Sequence, residues 1–63
     1  MTFYEINNIR VKKNVFVRIA EICEEKKYQY DAIKKRDKSN NQIKKIYVEN
    51  NEFSKVLSIV IGD

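Results

Sequence analysis

The residues with the clearest chemical potential are the cations of segment 34–45. Lys34, Lys35, Arg36, Lys38, Lys44 and Lys45 stand there against Asp37 as the one acid, a net +5, while the whole 63-residue chain carries +4. The positive excess therefore lies in this stretch. A patch of this kind neutralises phosphates and releases condensed counterions, the main driving force for nucleic-acid binding. Ser39, Asn40, Asn41 and Gln42 lie within it and could donate to phosphates or read base edges. Tyr28, Tyr30 and Tyr47 flank it, and tyrosines beside lysines can stack unpaired bases. The plainer alternatives are a solvated lysine-rich surface and tyrosines that belong to the core with their hydroxyls at the rim. Arg10, Lys12 and Lys13 form a second basic group, read as the wet face of a hairpin.

Other chemistry is excluded or poorly supported. The chain has no His and one Cys, Cys23, so an imidazole base, a zinc site of the usual kind and an intrachain disulfide are all ruled out. Its one Gly, Gly62, cannot build a phosphate-binding loop. Cys23 falls on an apolar stripe and reads as a buried thiol. Glu21, Glu24 and Glu25 are interspersed with lysines on a polar helix face. No catalytic set, metal site or cofactor site is expected. The longest apolar stretch, Val56–Ile61, is too short to span a bilayer, and the N-terminal residues lack a signal peptide's basic-then-apolar order. A cytoplasmic location is the resulting expectation.

The elements that must position these residues follow from periodicity. Ile, Lys and Asn make up 26 of the 63 residues, as in an AT-rich genome, which is compatible with a phage or plasmid origin. With no Pro and one Gly, Asn must make the turns. Asn7-Asn8 between Thr2–Ile6 and Ile9–Lys13 predicts a small hairpin. Val15, Phe16, Ile19, Ile22 and Cys23 form one helical stripe and predict a helix near 14–27, with Asn14 as N-cap. Segment 28–37 is consistent with helix or strand. Asp37–Asn41 reads as a loop and Gln42–Glu49 as a strand, with Ile46 and Val48 on one face. For Phe53–Ile61 the Ile-Val-Ile run favours a strand over a short helix.

Arg18–Arg36 is faintly similar to the first two helices of phage-type helix-turn-helix repressors, with Ile19, Ile22 and Ile33 at the packing positions. Gly is missing from the turn after the second helix, and Asp37 and Ser39 stand where apolar residues are needed. No residue role is carried over.

The fold expected is a single α+β domain: a small, mainly antiparallel sheet, strand-rich toward the C-terminus, with one helix near 14–27 on one face. A mostly-β barrel-like meander is the runner-up and a helical unit the third choice. A domain this small buries a limited core, so a homodimer or a larger protein partner is a reasonable expectation. The expected function is non-enzymatic nucleic-acid binding, regulatory in character, through Lys34, Lys35, Arg36, Lys38, Lys44 and Lys45 with Tyr28, Tyr30 and Tyr47. The alternative is a protein-interaction module or small inhibitor acting through an exposed strand edge at 53–61.

Overall fold

The computed structural model describes residues 1–62. The chain runs β1 (Thr2–Ile6), β2 (Ile9–Val11), α1 (Lys13–Lys26), β3 (Tyr30–Arg36), β4 (Gln42–Val48) and α2 (Phe53–Ile61). The strands form one mixed sheet of order β2-β1-β4-β3. β1–β2 and β3–β4 are antiparallel hairpins, and β1–β4 is a parallel pair that joins them. The α+β class holds, and the sheet does not close into a barrel.

Asparagines make the turns. Asn7 and Asn8 both have positive φ (48° and 69°), as a two-residue hairpin turn requires. Asn7 also extends the β1–β4 pairing: its N–H donates to Ile46 O at 2.9 Å, and its Oδ1 accepts from Val48 N–H at 2.9 Å. Lys27, at φ 58°, ends α1 with its N–H on the Cys23 and Glu24 carbonyls.

Alternation along the paired strands sorts side chains onto two faces. Ile6, Ile46 and Val48 face the helices and form the core with Ile19, Ile22 and Cys23 of α1 and Phe53 and Leu57 of α2. Tyr4 packs on Phe16 with ring centroids 5.0 Å apart, and Tyr28 meets Phe53 edge-on at 6.3 Å. The other face, carrying Phe3, Glu5, Ile43, Lys45 and Tyr47, bears no helix.

Two expectations are corrected, and the segment left open at 28–37 is settled. Phe53–Ile61 is a helix rather than a strand, so that segment has no strand edge and the chain does not end strand-rich. Phe53 and Leu57 share a strand face and a helix face alike, and burial of Phe53, Leu57 and the half-buried Val56 and Val60 against the core selects the helix. Ile59, which a strand with Phe53 and Leu57 inward would also bury, is 70% exposed. Segment 30–36 is a strand, which removes the helix-turn-helix arrangement and leaves Ile33 exposed. Asn14 lies inside α1; Lys12 is the N-cap, and no side chain caps it. Among the described residues, no helix is long and apolar enough to cross a membrane.

Candidate nucleic-acid interface

The β3–β4 hairpin holds all six cations of segment 34–45. Its turn is built by Asp37, whose N–H donates to Asn41 O at 3.0 Å. The Asp37 carboxylate accepts from Ser39 N–H (2.9 Å), Asn41 N–H (2.8 Å) and Asn41 Nδ2 (3.2 Å). These bonds, the Asn41 N–H foremost, hold the Asp37 carboxyl below its ordinary pKa. The one acid of the segment is thereby committed to the turn. It makes no ion pair with the neighbouring cations. Asn40, at φ 67°, completes the turn and accepts from the Arg36 guanidinium at 3.0 Å.

The register then divides the cations. Lys34 faces Lys44 directly across the hairpin, and Arg36 faces Gln42. These side chains share the helix-facing side, at the end of the sheet that the helices leave open, and Lys34 and Arg36 are exposed. Lys38 is exposed at the turn. Among the described residues, none of Lys34, Lys35, Arg36, Lys38 and Lys44 is paired with a carboxylate. Like charges placed opposite one another on a sheet are destabilising. The chain therefore carries this ridge at a cost in stability. Lys44 lies 5.9 Å from the centre of the Tyr4 ring, a weak compensation.

Lys35 points to the opposite face, so the cations do not form a single knob. Lys45 differs in kind. It is 9% exposed, its Nζ lies 3.6 Å from Glu5 Oε1, and it donates to Asn8 Oδ1 at 3.2 Å. Tyr47 beside it, and then Glu5, hold its ammonium above the ordinary pKa against the opposing effect of burial. Lys45 is a structural cation of the open face. Arg10 serves the same cluster, lying 4.1 Å over the Phe3 ring and 3.3 Å from Glu5.

The tyrosines gather away from the ridge. Tyr28, Tyr30 and Tyr47 line an open cleft of about 620 Å³ at the far end of β3, and its charged lining is Glu24, Asp31 and Glu49. Tyr30 donates to Glu24 at 2.9 Å, and this bond first of all raises its pKa. Tyr47 donates to Asn8 at 2.8 Å from the opposite face of the sheet. The tyrosines thus lie in acidic surroundings, apart from the basic ridge.

Cys23 is buried, and burial followed by the neighbouring Glu24 charge raises its pKa, which makes the thiol unreactive. Among the described residues, no cluster of His, Cys, Asp or Glu is placed to hold a metal ion. Comparisons with family models, curated proteins and solved structures give no match.

Sequence reasoning missed two features. The parallel β1–β4 pairing joins segments some forty positions apart and has no local signal. The Glu5–Lys45 pair depends on that pairing, because their register makes them direct neighbours.

Proposed function

We propose that this protein binds nucleic acid through the phosphate backbone, using the tip of the β3–β4 hairpin. Lys34, Arg36 and Lys44 supply one row of cations and Lys38 extends it over the turn. The row lies on one side of the sheet, with β1 beside Lys44, and from there these side chains reach the phosphates of a backbone laid along it. One observation carries the reading: Lys34 and Lys44 face each other with no acid between them while the nearby Asp37 is locked into the turn. A polyanion relieves that repulsion. The acidic setting of Tyr28, Tyr30 and Tyr47 favours backbone contact over stacking of unpaired bases.

The test is fluorescence anisotropy with single- and double-stranded DNA and RNA at graded salt. Duplexes are expected to bind better than single strands. If Lys34, Arg36, Lys38 and Lys44 each neutralise one phosphate, log affinity falls against log salt with a slope of about −3.6. Reversing Lys34, Arg36 and Lys44 together to Glu abolishes binding. A reversed protein that binds as tightly as the wild type overturns the proposal.

A further inference from the structure

β3 is an outer strand of the sheet, and its far edge has no partner among the described residues. The bond from Asp37 N–H to Asn41 O sets the alternation along it. Asp31, Ile33 and Lys35 turn their backbone groups toward β4, while Tyr30, Ala32, Lys34 and Arg36 turn theirs outward. The bonds from Gln42 N–H to Met1 O and from Asn7 N–H to Ile46 O continue the same alternation across β4. A row of unpaired N–H and C=O groups is a template for another strand.

We propose that β3 is the interface of a homodimer, in which two copies pair antiparallel with the two-fold axis at Ile33. The strand Tyr-Asp-Ala-Ile-Lys-Lys-Arg is complementary to itself in this register. Asp31 faces the partner's Lys35 on the open face, on each side of the facing Ile33 pair. On the helix side Tyr30 faces the partner's Arg36, and Ala32 faces the partner's Lys34. The outward backbone groups of these helix-side pairs exchange N–H···O=C bonds in both directions. The whole length of the strand is used.

Charge selects this register. One end of β3 is acidic, with Asp31 beside Glu24 and Glu49. The other end holds Lys34, Lys35 and Arg36. Antiparallel pairing lays one end over the other. Moving the axis to Ala32 places Asp31 against Ile33 and Lys35 against Gln29. Moving it to Lys34 sets the lysines face to face and Asp31 against Asp37. Edge lysines ordinarily discourage strand pairing; here Asp31 meets a lysine across the seam only with the axis at Ile33. Ile33 gives the axis an apolar contact, being 43% exposed in the single chain. Lys34 and Arg36 still project from the helix side, so the dimer is compatible with the proposed nucleic-acid contact and does not depend on it.

The test is sedimentation velocity on the full chain, without nucleic acid, from micromolar protein to about 1 mM. The wild type is expected to pass from monomer to dimer. Asp31→Lys and Lys35→Asp each create two like-charged pairs by symmetry, and each is expected to weaken the dimer about tenfold or more. An equimolar mixture of the two variants restores association, because each then meets its opposite charge. In a check independent of the charge reversals, Ile33→Cys closes a disulfide between copies under mild oxidation, since facing residues at a non-hydrogen-bonded site lie within bridging distance. A wild type that stays monomeric over the whole range, a dimer indifferent to both reversals, or an Ile33→Cys protein that stays reduced overturns the proposal.

Discussion

Lys34→Glu should strengthen the fold and weaken the function at once. Lys34 lies opposite Lys44 on β4, with Arg36 two residues along on the same face. The substitution turns a repulsive cross-strand pair into an attractive one. Such a reversal is worth about 0.5–1 kcal/mol. A chain of 63 residues has a total stability of only about 3–9 kcal/mol, and its midpoint moves about 4–8 °C for each kcal/mol. A rise in Tm of about 2–8 °C is therefore expected by far-UV circular dichroism at low salt. The gain should fade near 1 M salt, where the Debye length is about 3 Å. In anisotropy titrations the same variant should bind duplex more weakly, with the magnitude of the salt slope reduced by about 1. A Tm at low salt that is unchanged or lower refutes the claim that the ridge is carried against stability. Undiminished binding refutes its link to the ligand.

Further outcomes follow from the same structure. Phe53→Ala empties a site that is 1% exposed and should cost about 3–5 kcal/mol, enough to leave much of the chain unfolded in urea-free buffer, as read by circular dichroism. Glu5→Gln strands the enclosed Lys45 ammonium and should lower Tm more than Glu25→Gln, whose Arg18 partner is exposed. Asp37 has a depressed pKa in the folded chain, so its contribution is complete above the ordinary carboxylate value and is lost as the pH falls through the folded value. The protection of the Ser39 and Asn41 amides, relative to their intrinsic exchange rate at each pH, should drop selectively on such acidification and in Asp37→Ala at neutral pH.

The first hairpin, the Asp37–Asn41 loop and β4 were legible because their signals are local; β3 was not, because segment 28–37 fits helix and strand spacing alike. Asn7-Asn8 and Asp37–Asn41 are turn chemistry that any chain without Pro and nearly without Gly must use, and the strands on either side alternate. The α1 stripe of Val15, Phe16, Ile19, Ile22 and Cys23 was equally plain, with its bounds displaced by one residue. α2 was not legible. Ile59, Val60 and Ile61 carry the intrinsic preference of a strand, and only the placement of Phe53 and Leu57 against α1 and the sheet overrides it. The basic segment was found as a run of charge, but its division was hidden. Which lysine joins the ridge, which joins the open face and which is locked to Glu5 depends on strand register and on the parallel β1–β4 pair. The tyrosines were read as flanking the basic segment, and their gathering in one cleft was not legible. Their carboxylate neighbours come from α1 and the ends of β3 and β4, which no local pattern in the sequence announces.

The most direct measurement is a two-dimensional ¹⁵N–¹H NMR titration of the protein with a short duplex at near-physiological salt. Lys34, Arg36, Lys38 and Lys44 are expected to shift together and saturably, while Phe3, Tyr47 and the Tyr28–Tyr30 cleft stay in place. No saturable shift, or shifts centred on the open face or the tyrosine cleft, would contradict binding through the ridge.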